Sequence, residues 1–163
     1  MDKTPSGPLG IPPFPDFVSA ARSTLELLHD RLGFGLWAIT RVDGAHQRIA
    51  MAVDYRYRVK AGKWYRWLDD YCALALAGEL PPIAWNCREL PNFAQLPRYR
   101  TAPVLAFVGV PLCRADGGAL GLLCAADPLP QTDDLLAEQS LLELLAQLLS
   151  TLFAMEQRIP TPQ

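Results

Sequence analysis

The segment WLDDYCALALAGELPPIAWNCRELPNFAQLPRYRTAPVLAFVGVPLCRADGGALGLLCAADP, from Trp67 to Pro128, decides how this chain is read. Tyr71, Cys72, Leu74 and Leu76, followed by Gly78, predict a short helix capped by Asp69 or Asp70. Pro81 and Pro82 lead into a short strand over 83–85. Pro91, Pro97 and Pro103 then stud a long connection, where short helical turns are expected rather than one helix. Two apolar runs, 104–113 and 118–126, flank a turn at Asp116 to Gly118 and read as a β-hairpin. Gly109 and Gly121 interrupt these strands, as a bulge or a close backbone approach would require.

Working outward, Pro5, Pro8, Pro12, Pro13 and Pro15 make residues 1–15 an extended, poorly packed arm, and residues 159–163 a tail. Between them, 16–158 reads as one domain. Asp16 is the expected cap of a helix carrying Phe17, Ala20, Ala21, Leu25, Leu27 and Leu28, which Gly33 ends near Leu32. A strand over 34–42, the turn Asp43-Gly44 and a returning strand over 47–59 follow. On that second strand, alternation predicts Arg56, Arg58 and Lys60 on one side and Tyr55, Tyr57 and Val59 on the other. The basic side reads as a solvated face in preference to an anion site.

Thr132 is the expected N-cap of the last helix, with Asp133 and Asp134 in its first turn. Two apolar stripes run along it. Leu135, Leu142, Leu145, Leu149 and Leu152 can cover the sheet; Ala137, Leu141, Leu144, Leu148 and Met155 need another partner, either the first helix or a second copy of the chain. The second copy is the preferred reading.

The 163 residues, 50% hydrophobic and 20% charged, have the size and composition of one globular domain. A net charge of -2 and a pI near 5.6 give no basic field to attract nucleic acid or an anionic membrane. The N-terminus lacks the apolar run of a secretory signal, and the apolar 135–155 stretch carries too many polar residues for a lipid-facing span, so a cytoplasmic location is expected. Cys72, Cys87, Cys113 and Cys124 form no Cys-x-x-Cys pair, and four buried free thiols without a metal are expected.

The order of these pieces resembles a GAF domain over nearly the whole chain: the Gly-Val-Pro-Leu strand at 109–112, the Asp-Gly turn at 116–118, the Gly-Leu-Leu-Cys-Ala strand at 121–125, then a Leu-rich helix. The resemblance implies an α+β sandwich with a GAF/PAS-like central antiparallel sheet. The N- and C-terminal helices would pack on one face, and the short helix plus the long loop on the other. It also implies a stand-alone, small-molecule-responsive signal-transduction domain, dimeric through its terminal helices and acting on a downstream signalling protein. The ligand and any cofactor stay unassigned, because one fold hosts many sites.

The chemistry-bearing residues are few. His29 and His46 have no nucleophile or carboxylate arrangement near them in sequence, and no phosphate loop or dinucleotide fingerprint occurs. Asp69 and Asp70, being adjacent, would point about 100° apart on a helix and do not form an acid/base pair. Cys72 is the best candidate for a reactive thiol, since a position in the first helical turn would favour its thiolate.

The resemblance also brings in free methionine-(R)-sulfoxide reductases, single GAF domains that use cysteine chemistry, in which Cys72 would lie near one of the cysteine positions and would be the catalytic candidate. Their loop cysteine before the hairpin is missing from 93–103, and Cys87 falls near a position more often held by Asp. Cys113 and Cys124 are expected to be offset across the hairpin, opposite residues near 119 and 108, too far apart for a disulfide. The tetrapyrrole and cyclic-nucleotide branches lack their motifs here. The expected ligand site therefore lies between the sheet, Cys72 and the 86–103 segment. Trp67, Trp85, Phe93, Tyr99 and Phe107 are its expected walls, and Asp70, Arg88 and Asp127 its polar anchors. A ligand-free interaction scaffold is the third reading.

Overall fold

A computed structural model describes residues 10–157. Five antiparallel strands form one open sheet: β1 (Leu36–Asp43), β2 (His46–Asp54), β3 (Ile83–Ala84), β4 (Ala106–Cys113) and β5 (Ala119–Asp127), in the spatial order β2-β1-β5-β4-β3. Helices α1 (Phe17–Leu32) and α3 (Gln139–Gln157) cover one face, while α2 (Arg66–Leu76) and the 85–105 loop cover the other. This is the expected α+β sandwich.

The strand period of two divides the core between the faces. Trp37 and Ile39 of β1, Val108 and Val110 of β4 and Leu123 of β5 meet α1 and α3. Leu36 and Ala38, Phe107, and Leu122 and Cys124 meet α2. Asp16 caps α1 by accepting from the Ser19 amide at 2.7 Å, and Gly33, at φ 77°, ends it. Gly121 is a close approach: a Cβ there would lie 1.9 Å from the Thr40 carbonyl oxygen on β1. The neighbouring register shift between Leu112 and Cys113 leaves Leu120 as the extra residue of a β-bulge. Gly109 serves the other face, where a Cβ would come within 2.8 Å of Ala75 on α2. Both glycines thus set how closely neighbouring elements can approach.

Several local expectations are corrected. The returning strand ends at Asp54 rather than near Val59, because the Asp54 carboxylate accepts from the Arg56, Tyr57 and Val59 amides and turns the chain. The proposed alternation of Arg56, Arg58 and Lys60 against Tyr55, Tyr57 and Val59 therefore has no strand to rest on. The last helix opens as a 3-10 segment over Asp133–Glu138, and α3 proper begins at Gln139. Thr132 precedes the 3-10 segment, and its hydroxyl bonds the Asp134 carboxylate rather than a backbone amide.

The first apolar stripe of this helical region turns inward, with Leu135, Leu142 and Leu149 buried. Along the second, Leu144, Leu148 and Met155 are each more than half exposed. Helix α1 does not cover that second stripe. It meets α3 through contacts such as Phe17 against Phe153, whose rings are 5.2 Å apart. No helix among the described residues is long and apolar enough to cross a membrane.

Candidate functional site

Helix α2 begins at Arg66 with Tyr65 as its N-cap, so neither Asp69 nor Asp70 caps it. Asp69 instead turns inward. One carboxylate oxygen accepts from the Gln47 amide at 3.0 Å, and the other meets Trp64 Nε1 at 2.8 Å and His46 Nδ1 at 2.6 Å. The β1–β2 hairpin is thereby tied to α2 by a carboxylate and histidine that lie 23 residues apart. That separation hid the pair from the sequence, where His46 has no carboxylate partner nearby. Asp70 is half-buried and accepts from the Tyr99 hydroxyl, drawing the long loop against the helix. The same bond raises the Tyr99 phenol above its ordinary range.

This earlier helix start also moves Cys72. It is the seventh residue of α2 and fully buried, outside the first turn whose amides would favour a thiolate. The neighbouring Cys124 thiol, then burial, holds Cys72 well above the ordinary cysteine range. Burial likewise pushes Cys87 up to about 11. Cys113 is exposed on β4, contrary to the expectation of four buried thiols. Across the hairpin it opposes Ala119, while Cys124 opposes Gly109, confirming the offset to within one residue.

Much of the space expected between the sheet and α2 is filled by the protein's own side chains. Phe107 and Cys72 are fully buried, Trp67 nearly so, and the Tyr71 and Phe107 rings lie 5.4 Å apart. Trp67 is covered in turn by Tyr57, stacked at 4.6 Å, whose hydroxyl reaches the Pro103 carbonyl at 2.8 Å. Trp67, Cys72 and Phe107 therefore form a floor of packed core.

The open space lies one layer outward, between Tyr71 of α2 and the loop, as a cleft of about 250 Å³. Arg88, Phe93 and Tyr99, expected from sequence, line it together with Leu96, Pro97, Arg98, Pro103, Val104 and Leu105. The loop's two 3-10 turns, Cys87–Glu89 and Phe93–Gln95, bring these residues together. Asn86 accepts from the Arg88 amide at 3.1 Å, and the Cys87 amide donates to the Leu105 carbonyl at 2.8 Å, anchoring the first turn. Tyr71 donates to the Pro97 carbonyl at 3.0 Å, and burial pushes its phenol up to about 12.

Two expected residues lie elsewhere. Trp85 packs against the core on the α1 and α3 side, and its carbonyl accepts from the Gln131 amide. Asp127 is buried at the end of β5, accepting from the Gly35 amide at 2.7 Å and the Leu129 amide at 2.8 Å, and so locks strand ends together. Tyr71, Leu96, Arg98 and Val104 were missed as cleft residues. The recurring prolines marked this loop, but no local pattern tells which of its side chains turns inward.

No family model matches the sequence, and no curated protein matches it either. The fold does match solved structures. The GAF domain of an Acinetobacter phosphoenolpyruvate-protein phosphotransferase superposes with a TM-score of 0.64 at 18% identity, over 86% of this chain and 83% of that one. A free methionine-R-sulfoxide reductase from Neisseria meningitidis, solved with its substrate, gives 0.63 at 20% identity over 88% and 82%. A biliverdin-bound domain in its far-red-absorbing dark state gives 0.62 at 13% identity over 88% and 93%. At these identities the likeness establishes the GAF-type fold.

Proposed function

Taking the GAF-type fold as its premise, we propose that this chain is a small-molecule-responsive regulatory domain whose ligand occupies the cleft between α2 and the 85–105 loop. The observation that carries the reading is the cleft itself: an apolar recess with a few charged groups at its rim, held on a loop that is pinned to the domain at several points. A GAF sensor protein is among the structural neighbours, and another neighbour holds biliverdin, which supports ligand binding as a use of this fold.

The output is a change in how α3 pairs with the α3 of a second copy. Leu144, Leu148 and Met155 lie one helical turn or two apart on one face and are left open to solvent by α1. A second copy bringing the same stripe removes apolar surface on both sides at once, the self-complementary arrangement of a two-fold dimer. A downstream signalling protein in the cytosol then reads the pairing. Ligand occupancy biases the pairing only if the two arrangements differ in their affinity for the ligand.

The cysteine-enzyme alternative receives less support. A reductase needs an attacking thiolate and a resolving thiol that its substrate can reach, whereas Cys72, its neighbour Cys124 and Cys87 are all buried, with Cys72 and Cys87 held above the ordinary cysteine range, and Cys113 lies on the opposite side of the domain beside Ser150. The scaffold alternative draws its support from the packed floor of Phe107, Trp67 and Cys72.

Native mass spectrometry of freshly purified protein tests these readings together. The expected result is a dimer carrying a defined additional mass, with Leu144→Glu/Leu148→Glu giving a monomer. A dimer without added mass, and without a stability response to any small molecule, would overturn the sensor in favour of the scaffold. Thiol-dependent reduction of methionine sulfoxide that is lost in Cys72→Ser would overturn it in favour of the enzyme.

A further inference from the structure

Resting on that reading of the cleft, we propose that its ligand is a small organic carboxylate: a single ring or branched hydrocarbon body bearing one carboxylate, which Arg88 and Arg98 receive. The body follows from the lining. The Tyr71 ring, Leu96, Val104 and Leu105 present carbon, and Pro97 and Pro103 add more without side-chain donors. At about 250 Å³ the recess lies just below the roughly 300–1,000 Å³ of pockets for drug-sized ligands, which limits the body to one ring or one branched chain.

The charge follows from which hydrogen-bonding groups are still free. Both cleft phenols are already committed, Tyr71 to the Pro97 carbonyl and Tyr99 to the Asp70 carboxylate. No carboxylate lines the cleft, and Asp70, behind Tyr99, is engaged by the Tyr99 hydroxyl, so a cationic group entering it would meet two guanidiniums first. Among the described residues, Arg88 and Arg98 make no ion pair, as is true of most of the arginines, and they are the two that line the cleft. Arg98 lies over the Phe93 ring at 4.5 Å from its centroid. Stacking of this kind orients the guanidinium plane and leaves its edge N–H groups available for a carboxylate.

The surroundings reinforce the sign. Between Arg56 and Arg100 the chain carries eight Lys or Arg against four Asp or Glu, one of them the buried Asp69, while the rest of the sequence is net acidic. These basic residues belong to the segments that cover the α2 face, so the field there favours an anion even though the whole chain is slightly negative. A bare inorganic anion would leave the apolar lining unused, and a neutral hydrocarbon would leave both exposed guanidiniums to solvent. A carboxylate on an apolar body satisfies both parts of the recess.

The experiment titrates benzoate, phenylacetate and 4-methylpentanoate against the full chain by calorimetry and thermal shift, beside benzamide, phenylacetamide, acetate and inorganic phosphate. Apolar carboxylates are expected to bind about ten- to a hundredfold more tightly than their amides, the discrimination typical of a charge-assisted hydrogen bond. Arg98→Ala and Arg88→Gln should each remove most of that preference while lowering the ligand-free melting temperature by no more than about 4 °C, the most that loss of the exposed Arg98 contact with Phe93 would cost. Amides binding as well as acids, or acids binding equally to both arginine variants, would overturn the anionic ligand and leave the small-molecule reading standing. Acetate or phosphate binding as tightly as benzoate would overturn the apolar body. Absence of binding by every probe at millimolar concentration would overturn the ligand class, and the native mass measurement would separately decide the fate of the sensor.

Discussion

Replacing Phe107 with Ala is the sharpest test of how the α2 face is built. Phe107 is fully buried on β4, packed against Tyr71 of α2 and among Trp67, Leu68, Cys72 and Leu122. An aromatic side chain of this kind buries on the order of 150 Å² or more, worth roughly 4 kcal/mol at about 25 cal/mol per Å². The register continues the argument: Phe107 pairs with Ala126 on β5 and Ala84 on β3, both too small to fill the vacated space. The site cannot collapse easily, so a loss of about 3–5 kcal/mol is expected, near the usual range for Phe→Ala in a core. For a domain of this size that corresponds to a fall in Tm of about 6–20 °C. Urea unfolding followed by Trp fluorescence and circular dichroism measures the change. Saturating benzene should restore part of the lost stability in the variant, because an apolar cavity stays dry and takes up a small hydrocarbon, and should do little for the parent protein. A loss below about 1 kcal/mol would refute the packed floor. Equal stabilisation of parent and variant by benzene would show that the interior was already open.

Three further outcomes follow from individual groups. With Ellman's reagent the native protein should release one equivalent of thiol, from exposed Cys113, and Cys113→Ser should release none until it is unfolded; three or four equivalents at once would show that the α2 face opens readily. Asp69→Ala should cost about 2–4 kcal/mol, because it strands the Gln47 amide and the Trp64 indole N–H and frees His46; unchanged stability in urea would refute the tie between hairpin and helix. In alkali, Tyr71 and Cys87 have folded-state pKa values of about 12 and 11, above their unfolded values of about 10 and 8.5. Their contribution is therefore fully present below the unfolded values and is lost as pH rises through the folded ones, so stability should fall progressively between about pH 9 and 12; a flat profile across that window would contradict their burial.

Local grammar was legible where a feature depends on neighbours in the chain. Asp16 and Gly33 bound α1, Asp43-Gly44 and Asp116 to Gly118 turn the two hairpins, and the inward Leu stripe of the last helix covers the sheet. These follow from backbone geometry and periodicity, which act over a few residues. Gly121 was legible as a close approach, although what it approaches, the Thr40 backbone, lies on a distant strand.

The candidate site was legible only in part. Arg88, Phe93 and Tyr99 were found because prolines flagged their loop, but the start of α2 was misplaced, since a buried Asp69 has the composition of a cap and the surroundings of a core acceptor. Moving that start by one turn took Cys72 from an activating position to an inert one. Trp85 and Asp127 show the same limit: side-chain type suggested a pocket, and the sheet's two faces and the strand-end amides decided otherwise. By itself, the sequence determined most of the elements and their order, because those rest on short-range pattern, and its resemblance to GAF domains implied the architecture. Only the tertiary structure decided which residues fill the interior, where the cleft lies and which arginines remain uncommitted, because these depend on contacts between residues far apart in the chain.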